Sequence, residues 1–270
     1  MVSPQPLHQL RPTTIFWVDA LRKDLAEAGY ELDVQASEAA YAVEPQRRLD
    51  RWLAEVNPAA LLLYRTTPVM QRWFAACGRP GVIAGSRHGG VALPSVDLDY
   101  AATCRHAAGR LTAHGHVHLA FLLPRTNLAG DLESEQGFRE GVARAGKAGA
   151  TGNVIHHDGS PGGITAALDA LQKQQPCPTG YLVAHAAHVL TAMGHLMRCG
   201  LHFPREVALI SRDDDPFLEH VVPRVARYSV DATLFARQLS RLVLQMACAG
   251  PVPCRDHRLM PRFVPGETLG

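Results

Sequence analysis

Short apolar runs alternate with helical segments along most of this chain, and the alternation restricts the fold more than any other feature. Residues 60–64 and 207–210 form runs without a charged side chain. Such a run is typical of a strand covered on both faces, which indicates a parallel sheet. Between the runs, apolar residues recur at helical spacing, as at Val18, Leu21 and Leu25. The sequence therefore predicts an α/β fold built from βα units with parallel sheets.

Length and composition narrow the class of protein. A chain of 270 residues with 47% hydrophobic residues is large enough for two lobes. The formal net charge of +2 gives no overall basic field for nucleic acid. No apolar run approaches the ~18 residues that a membrane helix needs, and no export signal is present, which predicts a soluble cytoplasmic chain without membrane contact. The six cysteines form no C-x-x-C pair, so we expect buried free thiols.

The run at 207–210 leads directly into polar residues, namely Arg212 and three carboxylates at 213–215. In open α/β sheets, ligands bind outside the carboxyl ends of the strands. The cluster is therefore a candidate binding site in which Arg212 and Asp213 contact the ligand. The alternative is a polar loop in which Asp214 or Asp215 caps the next helix.

Other predicted strands also end in polar or aromatic residues, which are Tyr64 with Arg65, Arg87, Arg125 and His185. A sugar or polyol needs carboxylates and guanidinium groups that bond two hydroxyls at once, and an aromatic face for stacking. Tyr64 supplies the aromatic face in this interpretation. These side chains join Arg212 and Asp213 as candidate ligand contacts.

Several stretches together resemble a known family. The segment 94–100 is followed by a helix and then by 111–116, which fits L-x-x-x-G-H before a strand, and Gly137-Phe138 fits a following G-F. The segment 200–210 is similar to G-x-x-x-P-x-D-V-x-x-I-G, and Asp213-Asp214 lie where that pattern has F-D-D. In this order and spacing they resemble the effector-binding domain of the lactose/galactose-repressor (LacI/GalR) family of bacterial transcription regulators.

The resemblance implies a type I periplasmic-binding-protein fold, with two Rossmann-like lobes, three interlobe crossings and a ligand in the cleft between the lobes. It places the first lobe at 1–122 plus 231–249 and the second at 123–230 plus 250–270. The family's first strand precedes the first helix, yet residues 1–13 are polar and Pro-rich, so we expect a linker or an extended lead-in, with that strand reduced or missing.

The chain departs from the family pattern at ligand-binding positions. The family usually has an arginine three residues before the G-F glycine, and this position is Ser134. The family's N-D before the G-x-x-x-P helix is His185-Ala186, whereas Asp213 matches its cleft aspartate. The departures leave open whether the pocket still binds a sugar.

We therefore predict the effector-sensing domain of a transcription regulator that binds a small, sugar-like ligand, forms a homodimer and is not an enzyme. DNA contact would need a helix-turn-helix segment outside this chain. No cofactor or metal is expected, and the alternating His114, His116 and His118 are not predicted to bind one. One alternative is a divalent-metal-dependent phosphoryl-transfer enzyme using the Asp213 cluster, although no phosphate-binding glycine loop accompanies it. A solute-binding protein is the other alternative.

Overall fold

The computed structural model of the chain describes residues 1–41, 45–145 and 149–270, and divides it into two compact units. The first unit comprises Met1–Leu98, Asn127–Gly130 and Val230–Leu259, and the second comprises Asp99–Thr126, Asp131–Ser229 and Met260–Gly270. Within the described residues each unit contains a six-stranded sheet. The predicted α/β class with parallel-dominated sheets is confirmed. Among the described helices, none is long and apolar enough to span a membrane.

The first unit has an entirely parallel sheet, in the order β11-β5-β4-β3-β1-β2. Its strands are β1 (Val2–Ser3), β2 (Gln35–Ala36), β3 (Leu61–Tyr64), β4 (Gly81–Ala84), β5 (Ser95–Leu98) and β11 (Asp256–Leu259). Its helices are α1 (Pro12–Glu27), α2 (Gln46–Val56), α3 (Pro68–Ala76) and α8 (Ala232–Ala249). Two short 3₁₀ helices, Leu7–Gln9 and Glu38–Tyr41, complete it.

Both faces of the first sheet are covered, as the uninterrupted apolar runs predict. Leu62 belongs to the core cluster of α1 and α8, whereas Leu61 and Leu63 belong to the cluster of α2 and α3. Successive side chains of a strand point to opposite faces. A run without polar residues is therefore required at β3, because neither face is exposed to water.

The second unit repeats this layered arrangement, in the strand order β12-β10-β9-β8-β6-β7. Its strands are β6 (His118–Pro124), β7 (Thr151–His157), β8 (Gly180–Val183), β9 (Ala208–Ser211), β10 (Ala226–Ser229) and β12 (Arg262–Val264). Its helices are α4 (Tyr100–Ala113), α5 (Ala129–Arg144), α6 (Pro161–Gln172) and α7 (Ala186–Arg198), with a 3₁₀ helix at Pro216–His220. The strands are parallel except β12, which runs antiparallel to β10.

The same alternation builds the second core. Ala120 and Leu122 of β6 pack with α6 and α7, whereas Leu119, Phe121 and Leu123 pack with α4 and α5. All five residues are at most 1% exposed. Strand β6 is therefore buried on both faces, which explains its run of apolar residues.

The beginning of the chain differs from the expected linker. Residues Val2 and Ser3 form β1, because Val2 pairs with Gln35 on one side and Leu63 on the other. The strand is only two residues long, too short to give a periodic signal. The expectation of a reduced first strand is confirmed. Residues 1–13 are not a linker, because they form this extended strand, the 3₁₀ helix Leu7–Gln9 and the start of α1.

The chain passes between the units at residues 98–99, 229–230 and 259–260, with 127–130 grouped with the first unit. The expected boundary near residue 122 placed α4 and β6 in the first lobe. They lie in the second unit, because β6 pairs with β7 and β8 of that sheet and α4 packs against the same sheet. Similarly, β11 lies in the first unit because it pairs with β5.

The six cysteines are free thiols, as predicted, but most are not buried. Cys104 is buried in α4, whereas Cys199, Cys248 and Cys254 are exposed. The exposed thiols lie at the ends of α7 and α8 and in the segment after α8, where helical patterning no longer determines burial.

Candidate functional site

In the second sheet the strand order reverses between β6 and β8. Strand β7 lies beyond β6 on one side, and β9 lies beyond β8 on the other. Such a reversal opens a crevice at the carboxyl ends of the two strands, where ligands of open α/β sheets bind. Arg125 follows β6 and His185 follows β8. Two sequence-predicted site residues therefore lie at the switch point of this sheet.

Arg212, just after β9, is the buried centre of the polar residues at this edge, with 2% of its side chain exposed. Its Nη1 donates to Asp131 Oδ1 at 2.9 Å and to Ser134 Oγ at 2.8 Å, and its Nε donates to Asp213 Oδ1 at 3.1 Å. The guanidinium carbon lies 4.5 Å from the centroid of the Tyr100 ring. Arg212 therefore holds Asp131 and Asp213 in place.

The charges in this network stabilise one another. Burial opposes the charge of Arg212, but Asp213 and Asp131 outweigh it and raise the pKa of the guanidinium. Burial alone would raise the pKa of Asp131, yet Arg212 and a hydrogen bond from Thr126 Oγ1 bring the pKa of that carboxyl below its usual value. Breaking such a pair by removing one partner leaves an uncompensated buried charge. Arg212 and Asp131 are therefore both charged at neutral pH.

The Asp213 side chain is 14% exposed, more than that of Arg212 at 2% or Asp131 at 8%. Its Oδ2 lies 2.9 Å from Nδ1 of His185, which is 13% exposed. The centroid of the His188 ring lies 5.1 Å from that of His185 and 4.8 Å from that of His157. His157 is the last residue of the edge strand β7. A carboxylate and a row of imidazoles thus line the carboxyl edge from β9 to β7, offering acceptors, donors and ring faces to a polar ligand.

Ser134 lies inside the network, completely buried on α5. The resemblance places an arginine at this position and a phenylalanine at 212. Here the guanidinium comes instead from Arg212, whose Nη1 reaches Ser134 Oγ. The second unit therefore has a guanidinium beside α5, supplied from position 212.

The first sheet has its own switch point, between β1 and β3. Tyr64 and Arg65 lie at the carboxyl end of β3, and Tyr64 Oη is 2.8 Å from Thr14 Oγ1. Arg65 has a φ of 52°, which is the left-handed region that residues other than glycine seldom adopt. Strained backbone of this kind clusters at ligand sites.

Arg87 and Arg125 have different surroundings. Arg87 forms a two-bond ion pair with Asp256 of β11, at 3.0 and 3.1 Å, and it also donates to the Val91 carbonyl. Its side chain therefore links β4 to β11 within the first unit. The Arg125 side chain is exposed, and its backbone N–H donates to the His157 carbonyl, which extends the β6–β7 pairing.

The three carboxylates at 213–215 have three different partners. Asp214 Oδ1 accepts from Arg227 at 2.6 Å, and Asp215 accepts from the Phe217 N–H as the N-cap of the 3₁₀ helix. The capping alternative is therefore confirmed for Asp215. Asp99 likewise accepts from the Ala102 N–H and caps α4.

Several neighbours of this site were not predicted from the sequence, namely Tyr100, Thr126, Asp131, His157 and His188. Thr126 and Asp131 lie in the loop after β6 and at the start of α5, so following the chain a few residues beyond the strand end would have found them. His188 lies three residues after His185 on α7, one helical turn away. His157 ends an edge strand with a weak apolar pattern, and no sequence signal separates it from the other histidines.

Comparisons with known proteins agree with this fold. The family model described as a periplasmic binding protein-like domain matches residues 108–269, more than half of the chain. A relative from Thermobifida fusca, the HTH-type transcriptional regulator CelR, is 28% identical over 228 residues, covering 82% of this chain and 65% of its own length. This chain thus spans about two thirds of that relative.

Solved structures of known proteins share this fold. A structure titled "transcriptional regulator CelR-cellobiose complex" has a TM-score of 0.85 and 22% identity, covering 99% of this chain and 83% of that chain. A putative transcriptional regulator LacI from Bacillus cereus subsp. cytotoxis has a TM-score of 0.87 and 16% identity, covering 99% of this chain and 96% of that one. The chain belongs to the periplasmic binding protein-like domain family, and its resemblance to the effector-binding domain of LacI-type regulators is confirmed.

Proposed function

We propose that this chain is the effector-sensing domain of a LacI-type transcription regulator and that it binds a sugar-like ligand through Asp213 and His185. The observation that carries the proposal is the position of the Asp213 carboxylate. It lies at the carboxyl edge of the second sheet, held by buried Arg212 and by His185. A carboxylate that is already held in one position loses little conformational entropy when it accepts hydrogen bonds from ligand hydroxyls.

Further support for a carbohydrate ligand comes from the chemistry of the edge. Hydroxyl groups both donate and accept, so a carboxylate beside an imidazole satisfies them in pairs. A neighbour in structure is described as a cellobiose complex. Tyr64 and Arg65, at the switch point of the first sheet, are proposed as further contacts. That the ligand lies between lobes, as the resemblance implies, stays a prediction.

The regulatory part of the proposal rests on the relatives. A ligand that binds one arrangement of the domain more tightly shifts the population toward it, and linkage then changes the affinity for any coupled partner. We propose that the coupled partner is DNA, bound by a helix-turn-helix segment like the one in the name of the relative. A homodimer and a location in the cytoplasm, with the DNA, belong to the same proposal.

Isothermal titration of a panel of mono- and disaccharides, cellobiose included, tests the site. For a sugar that binds the wild-type chain, we expect Asp213→Asn to weaken the affinity at least about tenfold, because hydrogen bonds to a charged group contribute about 1.5–3 kcal/mol. Circular dichroism checks that the variant is folded. Asp19→Asn, which changes an exposed carboxylate on α1, serves as the matched control and should bind like the wild type.

Two results would contradict the proposal. Equal affinity of Asp213→Asn and the wild type would remove Asp213 from the site. Stabilisation by Mg²⁺ alone, with no binding from any carbohydrate in the panel, would favour the metal-dependent phosphoryl-transfer alternative.

A further inference from the structure

Three side chains able to bind a metal converge at the surface of the second unit, on the helices α6 and α7. They are Asp169 of α6, His195 in the last turns of α7, and Cys199, which caps that helix. Their candidate ligand atoms all lie within 4.8 Å of one another. The cluster lies on the helix pair that covers one face of the sheet, apart from the residues of the proposed sugar site.

His195 is the centre of this cluster. Its side chain is only 2% exposed, and its Nε2 faces both other groups, at 2.9 Å from Asp169 Oδ1 and 3.7 Å from Cys199 Sγ. His195 and Cys199 are four residues apart on one helix, which places their side chains on the same face. The imidazole is therefore fixed by burial, the carboxylate reaches it from α6, and the thiol reaches it from the end of its own helix, α7.

The frame that carries the three groups is well packed. Leu168 and Leu171 of α6 lie in one apolar cluster with Val189, Ala192 and Leu196 of α7. All five side chains are at most 1% exposed. Because these flanking residues are locked, the positions of Asp169 and His195 are set by the core rather than by surface flexibility.

The distances suit a small tetrahedral ion. With bonds of about 2.0–2.2 Å to nitrogen and oxygen and about 2.3 Å to sulfur, tetrahedral zinc separates its N and O ligands by about 3.3 Å and its N and S ligands by about 3.6 Å. The corresponding distances here are 2.9 and 3.7 Å. A side-chain movement of a few tenths of an ångström admits the ion. Exposed Asp169 and Cys199 have room for that movement.

We propose that Asp169, His195 and Cys199 form a Zn²⁺ site with water as the fourth ligand. The combination of one thiolate, one imidazole and one carboxylate favours zinc over Mg²⁺ or Ca²⁺, which prefer oxygen ligands. Binding expels the Cys199 thiol proton and places the His195 proton on Nδ1, because Nε2 must coordinate the ion. Arg198 Nη2, now 3.0 Å from Nδ1, turns outward from its exposed position on the helix. The bound ion then links α6 to α7.

Titration of the metal-free chain with Zn²⁺, followed by calorimetry, tests the site. We expect one ion per chain and a higher melting temperature with zinc. Cys199→Ser and Asp169→Asn should each weaken the affinity at least tenfold. Cys248→Ser, which removes another exposed thiol at the end of α8, is the matched control and should bind zinc like the wild type.

Cobalt substitution supplies a second measurement that is independent of sugar binding. Co²⁺ in the wild-type chain should give the intense visible bands of a tetrahedral site and a thiolate charge-transfer band, and Cys199→Ser should lose the charge-transfer band. Either of two results would overturn the proposal: no stoichiometric zinc binding by the wild type, or Cys199→Ser binding zinc as tightly as Cys248→Ser.

Discussion

Arg212 determines the candidate site at the level of single residues. A buried guanidinium is tolerated because two carboxylates, a hydroxyl and an aromatic ring surround it. Only 2% of the Arg212 side chain is exposed, so it has little surface to offer a ligand. Its contribution is to hold Asp213 in one position. We therefore assign Arg212 as a positioning residue and Asp213 as the proposed ligand contact.

The guanidinium lies at position 212, whereas the resemblance places it at position 134, and this difference gives a first prediction. Arg212→Phe leaves Asp131 and Asp213 without their cation, so the free energy of unfolding should fall by about 3–5 kcal/mol. Adding Ser134→Arg returns a guanidinium from α5 and should recover more than half of that loss. Urea denaturation of both variants measures the two values.

The control for this pair is Arg224→Met, because Arg224 is 68% exposed and its ion pair with Glu267 is 3.8 Å long. An exposed pair contributes at most about 1 kcal/mol. A double variant no more stable than Arg212→Phe alone would show that the two positions do not compensate.

His157 gives a prediction about pH. Burial lowers the pKa of its imidazole, His156 adds to that effect, and Asp158 opposes it. Its Nδ1 also accepts a hydrogen bond from the Gly159 N–H at 3.0 Å, which protonation would break. The unfolded chain, with the ordinary pKa of 6.5, then binds more protons than the folded chain. This contribution to stability is complete above pH 6.5 and is lost as the pH falls from there toward the lower folded pKa.

His157→Gln should therefore flatten the decline in unfolding free energy between pH 7 and pH 5, measured by urea denaturation at each pH. The matched control is His220→Gln, which changes an exposed histidine of the same unit and should keep the wild-type dependence. Equal slopes for His157→Gln and the wild type would exclude this role for His157.

At the level of elements, two glycines let α5 approach α4. A Cβ at Gly137 would lie 2.1 Å from the Ala101 carbonyl oxygen, and a Cβ at Gly141 would lie 2.7 Å from that of Arg105. Phe138, beside the first glycine, is completely buried against Phe121, with ring centroids 5.4 Å apart. The G-F pair of the sequence thus marks a close helix crossing and a core anchor.

Gly137→Ala should destabilise the chain by about 1–3 kcal/mol, because backbone atoms of α4 occupy the space that the methyl group needs. Helix propensity alone would predict the opposite, a gain of about 1 kcal/mol. Thermal and urea denaturation distinguish the two. Gly194→Ala on α7 is the control, since its Cβ meets nothing within 4 Å, and it should stabilise. If Gly137→Ala also stabilises, the close crossing is not a constraint.

For the molecule as a whole, the proposed homodimer would use the helices α1 and α8 of the first unit. Trp17 and Phe235 of these helices are buried with ring centroids 5.3 Å apart, whereas their neighbours Phe16 and Leu234 are 49% and 41% exposed. We place the proposed dimer contact at these two exposed apolar side chains, because α1 and α8 pack against each other through Trp17 and Phe235.

We expect the wild-type chain to sediment as a dimer and the double variant Phe16→Glu, Leu234→Glu as a monomer, because burying two carboxylates opposes association. Val222→Glu changes a side chain that is 84% exposed in the second unit and should leave the dimer intact. A monomeric wild type, or a dimeric double variant, would contradict this choice of surface.

Much of the fold was predictable, since most strands and helices lie where the periodicity placed them. The first strand was not, because two residues carry no periodic signal. The candidate site was predictable in part. Strand ends located Asp213 and His185, but Asp131, Thr126, His157 and His188 reach the same edge from loops and helix starts, whose paths depend on packing.

The sequence by itself determined the alternation of strands and helices and the burial of both sheet faces, because local spacing and apolar content control these directly. Only the tertiary structure decided that Arg212 bonds Asp131 and Asp213 and that Ser134 faces its guanidinium. It also decided that Asp169, His195 and Cys199 meet. Each of these depends on side chains from separate elements, and their distances are set by how helices pack on a sheet rather than by their positions along the chain.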